Sequence, residues 1–278
     1  MYKIIPLAIV TLLLTVRCNP PSEAKEWLSK AQTLYENQNY IAAKNLIDSI
    51  DAIYPREIEV RKEARTLMRH IERDESIRDI AYCDSILPIR LQEVEPLKKG
   101  FVFVKNEEYD KIGNYIWNTM TVERNLERSY IRCGVNEEGE MYMASLFYGT
   151  RPLEHTGLRL SIKDGVFAVT ESIPYDGGLN YRFDDMGKTT EVVTYKGEHC
   201  KDAANLIYLI DNKERVKAEY TGGKTAYSLY LSESDIKAIK ATYELALVLS
   251  DIHAQQKIKS HAEKTILLSE ERLKRYNE

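Results

Sequence analysis

The histidines and cysteines are the residues of this 278-residue chain whose types could bind a metal or act as nucleophiles. His253 and His261 lie eight residues apart on one predicted helix, and the two turns between them separate them too far for one metal ion without further ligands. His199 and Cys200 are adjacent, and adjacent helical residues point about 100° apart, which disfavours a nucleophile–base pair. The sequence therefore predicts no metal site and no catalytic residue.

Acidic side chains occur in two neighbouring loops of a predicted sheet, at Asp176 and at Asp184. Carboxylates in such loops can bind calcium or take part in acid–base catalysis. They are also what tight turns are ordinarily made of, and turn formation is the favoured interpretation. Asp176 and Asp184 are kept as candidates for an interaction surface. The sequence has no phosphate loop, dinucleotide fingerprint, zinc-protease helix or nucleophile elbow, so it predicts no cofactor.

The amino-acid composition limits the classes of ligand that the protein is expected to bind. The net charge of −4 argues against nucleic acid, because a nucleic-acid binder shows a basic surface. Tyrosine is abundant, with 19 Tyr against 5 Phe and 2 Trp, and many tyrosines lie between positions 109 and 230. Strand propensity and half-buried positions explain this enrichment, and a ligand-stacking surface is the alternative. A flat sheet with a tyrosine-lined face would favour glycan binding.

The N-terminal residues predict where in the cell the protein is located. Lys3 is followed by an apolar run of thirteen residues, Ile4 to Val16, which is shorter than the ~20 needed to span a bilayer and matches a secretory signal. The run ends at Cys18, and a polar segment with two prolines follows. This segment resembles a bacterial lipoprotein signal, in which the cysteine is acylated and becomes the first mature residue. Arg17 departs from the family, which has Gly, Ala or Ser at that position.

The lipoprotein resemblance implies lipidation at Cys18 and a membrane partner reached through an N-terminal lipid. The implied location is the bacterial cell envelope, facing the periplasm, with the outer membrane favoured over the inner. The alternative is an ordinary signal peptide with an unmodified Cys18. In an oxidising compartment one disulfide could form among Cys83, Cys133 and Cys200, but buried thiols are favoured since two of them fall on apolar sides of predicted elements.

Residues 22–55 predict a helical hairpin that turns at residues 37–39. Its large and small packing residues and closing proline are Trp27, Ala31, Leu34, Ala43, Ile47, Ile50 and Pro55. With these residues the hairpin resembles a single tetratricopeptide repeat, which implies helix–helix packing but not a peptide-binding groove, since a groove needs about three repeats. Trp27, Tyr35 and Tyr40 are the candidate interaction residues of this segment.

Two long helices are predicted outside the middle of the chain. One covers residues 56–87, with an irregularity at its charged residues 72–75 and an end before Pro88. The other covers residues 232–276 and carries an apolar seam at coiled-coil spacing, capped by Ser232 with Asp235. We expect these helices to pair as a coiled-coil-like stalk, and pairing with a second molecule is the open alternative.

The middle of the chain alternates with a period of two and predicts four hairpins in series with a helix at about 199–212. The predicted fold class is therefore α+β, with helical ends and an antiparallel β domain, curved or half-closed into a barrel. The predicted divisions are a signal peptide (1–17), a helical region (18–98), the β domain (99–231) and the last helix (232–278).

The favoured function is a non-enzymatic, lipid-anchored envelope protein that acts through macromolecular binding or scaffolding, and the expected partner is another protein or a second copy of this chain. In arrangement the chain resembles envelope lipoproteins of the Bacteroidetes type, which implies no particular activity. The alternatives are a periplasmic glycan-binding module or hydrolase with its site on the β domain, and a self-assembling spacer.

Overall fold

The computed structural model describes residues 22–277, and this part of the chain has the predicted α+β class. It forms two compact units, one made of residues 22–78 and 262–277 and the other of residues 79–261. The helices are α1 (Glu23–Glu36), α2 (Tyr40–Ile53), α3 (Ile58–Leu97), α4 (Glu198–Leu209) and α5 (Glu233–Asn277). The strands are β1 (Phe101–Val104), β2 (Asn114–Trp117), β3 (Tyr130–Asn136), β4 (Met141–Gly149), β5 (Gly157–Ser161), β6 (Phe167–Val169), β7 (Asn180–Asp185), β8 (Lys188–Lys196), β9 (Lys217–Thr221) and β10 (Tyr227–Tyr230).

The first unit is built on the predicted helical hairpin. Asn39 caps α2, with its side-chain oxygen accepting the backbone N–H of Ala42 at 3.3 Å. Ala31 and Ala43 are fully buried, and small residues at such positions allow two helices to approach closely. The start of α3 covers the hairpin with an apolar stripe that includes Val60 and Ile71.

The predicted irregularity at residues 72–75 is wrong, because α3 is continuous there. These charged residues contact the hairpin. The hydroxyl of Tyr35 donates a hydrogen bond to Asp74 at 2.5 Å, and Lys44 pairs with Glu75 at 2.6 Å. The break in the apolar pattern therefore marks a polar contact between helices.

The predicted end of the long helix before Pro88 is also wrong, because α3 continues to Leu97 with Pro88 and Pro96 inside it. A proline in a helix interior costs about 3 kcal/mol. The residues beyond Pro88 offset this cost by packing, since Val94 is 1% exposed and Leu97 packs against the core of the second unit.

Within the second unit, α3 and α5 pair antiparallel, as the sequence predicts. Arg90 pairs with Asp251 at 2.7 Å, and Lys259 pairs with Asp84 at 2.5 Å. The predicted cap begins α5 through Ser232, whose backbone N–H and hydroxyl both donate to the carboxylate of Asp235 at 2.9 and 2.8 Å.

The second unit contains the predicted antiparallel β structure as two sheets, which are not closed into a barrel. One has the strand order β1-β2-β3-β4-β8-β7 and the other the order β10-β9-β5-β6. The four predicted hairpins are present as β3–β4, β5–β6, β7–β8 and β9–β10, and α4 occupies the predicted helix. The β1–β2 hairpin was not predicted.

The core of the second unit lies among the two sheets, α4 and α5, and it contains Met143, Leu158, Ile207 and Leu245. Tyr220 on β9 links the sheets. Its buried hydroxyl lies 2.9 Å from the carbonyl oxygen of Leu146 and 3.0 Å from that of Tyr130, both on the six-stranded sheet.

Candidate functional site

One face of the six-stranded sheet carries a groove lined by aromatic side chains. Strand register places its residues together, because directly paired residues of neighbouring strands share a face. Tyr130 pairs with Leu146, Leu146 with Val192, and Val192 with Tyr181. We call this cavity of about 330 Å³ the tyrosine groove. It is lined by Val122, Asn125, Leu126, Glu127, Arg128, Tyr130, Arg132, Leu146, Tyr148, Tyr181, Phe183, Asp185, Met186, Thr190 and Val192.

The rim of the tyrosine groove exposes apolar side chains to solvent. Met186 is 96% exposed, Leu126 is 67% exposed and Phe183 is 52% exposed. Met186 and Glu127 also have positive φ angles of 44° and 57°. Non-glycine residues are disfavoured in this conformation, and such positions cluster at functional sites.

Two polar groups of the tyrosine groove have no hydrogen-bond partner. The hydroxyl of Tyr130, a residue 3% exposed, and the Nε of Arg132 are buried atoms without one. Leaving a buried donor unpaired costs about 1–3 kcal/mol, so each such group in a folded protein calls for an explanation. A ligand in the groove that accepts hydrogen bonds supplies one.

The electrostatics of the groove floor are set by two arginines. The guanidinium of Arg128 lies over the ring of Tyr130, 5.3 Å from its centroid. The carboxylates of Glu127 and Asp185 also line the groove, but no ion pair joins either of them to Arg128 or Arg132. Burial raises the pKa of Tyr130, and the nearby charges of Arg132 and Arg128, with a contact from Arg132 to the hydroxyl, act in the opposite direction. The floor therefore presents hydrogen-bond donors and two guanidinium groups that are not in ion pairs with these carboxylates.

A second polar cluster, Ser145, His155 and Glu191, has the spacing of a catalytic triad but lies in the core. Ser145 Oγ is 2.8 Å from His155 Nε2, and His155 Nδ1 is 3.0 Å from Glu191 Oε2. Ser145 is fully buried, and its hydroxyl also contacts that of Tyr195 at 3.1 Å. A cavity of about 300 Å³ touches His155 and Glu191, but Ser145 does not line it. A substrate in this cavity would not reach the hydroxyl.

Glu191 holds the loop before β5 in place. Its carboxylate accepts the backbone N–H of Glu154 at 2.8 Å. Burial acts to raise the pKa of Glu191, but the hydrogen bonds from His155 and from the amide of Glu154 outweigh it and lower the pKa below 4.5. His155 itself is 1% exposed and stacks on Tyr220.

The candidate residues of the first unit take part in packing. Trp27 contacts Tyr54 edge to face at 5.5 Å, and the guanidinium of Arg78 lies 5.1 Å from the ring centroid of Tyr40. The hydrogen bond with Asp74 raises the pKa of Tyr35 to about 12. Cys18 lies outside the described residues.

Of the two candidate carboxylates, Asp176 lies on a turn as predicted, whereas the predicted loop position of Asp184 is wrong, because Asp184 lies in β7 and pairs with Thr189 of β8. Asp176 accepts the backbone N–H groups of Gly178 and Asn180, both at 2.9 Å, which is Asx-turn geometry. Asp184 accepts the hydroxyl of Thr189 at 2.5 Å within the β7–β8 hairpin. The five described candidates are therefore divided between two units.

The cysteines of the described chain are buried thiols, as predicted. Burial raises the pKa of Cys133 to about 12 and that of Cys200 to about 11, and Cys83 is also buried and free. Residues 22–277 contain no group of three His, Cys, Asp or Glu side chains arranged to hold a metal ion. No helix of this region has the length and apolar character needed to cross a membrane.

The tyrosine groove was not predicted residue by residue, since Arg128, Arg132 and Met186 carry no motif. The available signal was the tyrosine excess, together with alternation that places Tyr130 and Arg132 on one face of β3. Comparisons with protein-family models, with curated proteins and with solved structures found nothing that matches this chain.

Proposed function

We propose that this chain is a non-enzymatic binding protein of the bacterial cell envelope that binds a glycan in the tyrosine groove. The observation that carries the proposal is the unpartnered Tyr130 hydroxyl on the floor of an exposed aromatic groove. A sugar ring has apolar C–H faces and hydroxyl edges. It therefore suits a site where aromatic rings lie beside a few fixed polar groups.

Two other functions have less support. A hydrolase that used Ser145 as its nucleophile would need this hydroxyl to be reachable, and Ser145 is fully buried and hydrogen-bonded to His155. A self-assembling spacer would need α5 to find its partner in another molecule, but α5 pairs with α3 in the second unit, for example through Asp251 and Arg90.

The test of glycan binding is titration calorimetry with oligosaccharides, using variants of the aromatic wall. We expect Tyr181→Ala and Phe183→Ala each to lower the affinity about 5- to 150-fold, because loss of one aromatic contact removes about 1–3 kcal/mol. Tyr109→Ala is the matched control, since Tyr109 is 77% exposed and does not line the groove. Equal affinities for all three variants would contradict the proposal.

The envelope location rests on lipidation of Cys18. The first helix begins at Glu23, and the five Cα–Cα steps from Cys18 to Glu23 can span at most about 18 Å, so a lipid on Cys18 would hold α1 close to the membrane surface. Mass spectrometry of the protein from its native membrane fraction tests this. We expect a mature chain that begins at Cys18 and carries a diacylglyceryl group, and a soluble Cys18→Ala variant. An unacylated wild-type mass would exclude the anchor.

A further inference from the structure

We infer that the glycan bound in the tyrosine groove is acidic, with its carboxylate or sulfate groups held by Arg128, Arg132 and the Tyr130 hydroxyl. This inference rests on the proposed function and specifies the class of ligand.

The polar groups of the groove floor are donors that lack an acceptor. Tyr130 and Arg132 lie two residues apart on β3 and on the same face, which separates them by about 7 Å along the strand. The buried Nε of Arg132 can only donate, and the Tyr130 hydroxyl beside the two guanidiniums is best paired with an anionic oxygen. A neutral sugar hydroxyl would satisfy these donors but leave the positive charge uncompensated.

The charges on the rim are consistent with a sugar acid rather than with a simple anion. Glu127 and Asp185 also line the groove and both are exposed, Glu127 in a turn and Asp185 at the end of β7. Carboxylates accept hydrogen bonds from sugar hydroxyls, whereas only an acid group of the ligand can form an ion pair with the arginines. A ligand that carries both hydroxyls and an acid group complements the whole groove.

Long-range attraction does not explain this selectivity. The chain has a net charge of −4, which gives no general attraction for a polyanion. Selection for an acid group must therefore come from short-range contacts with the unpaired guanidiniums. Added salt should weaken these contacts only where they are exposed to solvent.

The experiment compares three probes of similar length by calorimetry: oligogalacturonate, dextran sulfate oligomers and neutral dextran oligomers. We expect at least one acidic probe to bind 10-fold or more tightly than dextran, since a hydrogen bond to a charged group contributes about 1.5–3 kcal/mol. The two acidic probes distinguish a carboxylate from a sulfate.

Arginine variants assign the effect to the groove floor. Arg132→Gln and Arg128→Gln should each reduce the preference for the acidic probe about 10-fold, and Arg132→Lys should restore part of it by keeping the charge. Arg124→Gln is the matched control, because Arg124 is a neighbouring exposed arginine that does not line the groove. Circular dichroism confirms that each variant is folded.

The possible outcomes distinguish failure of this inference from failure of the proposed function. If dextran binds as tightly as the acidic probes and the arginine variants change nothing, the ligand is a neutral glycan and this inference is overturned, while glycan binding stands. If none of the three probes binds, both the inference and the proposed function are overturned.

Discussion

The guanidinium of Arg128 lies over the ring of Tyr130 while the hydroxyl of that tyrosine, in a residue only 3% exposed, has no hydrogen-bond partner. The ring is therefore well packed and its polar group is not satisfied. The unpaired hydroxyl should therefore not stabilise the free protein, although it should contribute to ligand binding.

Tyr130→Phe separates the two contributions. Removing the unpaired hydroxyl should leave the free energy of unfolding unchanged or raise it by up to about 1 kcal/mol, because no hydrogen bond is lost. The same change should weaken ligand binding several-fold. Denaturant unfolding and calorimetry measure the two effects. A loss of stability would show that the hydroxyl is hydrogen-bonded in the free protein.

A substitution at Met186 should also change stability and ligand binding in opposite directions. It sits with Gly187 in the two-residue turn of the β7–β8 hairpin, where both residues have positive φ and Asn or Gly is favoured. Met186→Asn should therefore stabilise the protein by about 0.5–1 kcal/mol. It should also weaken ligand binding by removing an apolar side chain from the rim. A destabilised variant would contradict the role given to the turn.

Gly139 and Gly165 form a matched pair of turn glycines. Both have positive φ, but a Cβ on Gly139 would lie 2.1 Å from the backbone nitrogen of Ser250 on α5, whereas nothing lies within 4 Å at Gly165. Gly165→Ala should cost only about 1 kcal/mol of backbone strain. Gly139→Ala should cost clearly more, since the β3–β4 turn must move away from α5. Urea unfolding of both variants measures the loss of free energy of unfolding, and equal losses would contradict this prediction.

Glu191 makes the stability depend on pH. Its pKa is lower in the folded protein than the ordinary value of 4.5, so its contribution is fully present above that value and is lost as the pH falls through the folded-state pKa. Glu191→Gln should cost about 2–4 kcal/mol at pH 7. The difference between wild type and variant should shrink below about pH 4. Urea midpoints between pH 3 and 7 measure it, and a constant difference would contradict the mechanism.

Two positions on α5 contrast a core and a surface role. Leu245 is fully buried, so Leu245→Asp should cost several kcal/mol, on the order of a buried unpaired charge. Gln255 makes only long contacts, 3.4 Å to Asp251 and 3.5 Å to Cys83, so Gln255→Ala should be nearly silent. Thermal unfolding compares the two variants. A large effect of Gln255→Ala would assign that side chain a role in the α3–α5 pairing.

The elements that local sequence controls were predictable. Asp164-Gly165 marks the β5–β6 turn, and Ser232 with Asp235 marks the start of α5, since turn and cap chemistry depend on a few adjacent residues. The end of α3 was not predictable in this way. Pro88 is a strong local stop signal, and only tertiary packing of residues such as Val94 overrides it.

The site required information that local patterns lack. Alternation showed that Tyr130 and Arg132 share a face, but not that β7 would pair with β8 and bring Tyr181 beside them. The Ser145–His155–Glu191 cluster likewise joins three separate segments. Strand order decides such neighbours, and the hairpins alone left it open.

The first unit is assembled from two pieces of chain, residues 22–78 and residues 262–277, with the whole second unit between them. During synthesis the last helix emerges only after residues 79–261 have emerged. The hairpin can therefore pack against the start of α3, and the second unit can form, while the first unit still lacks residues 262–277. The end of α5 is thus the last piece to join, and it completes the unit that began to form first.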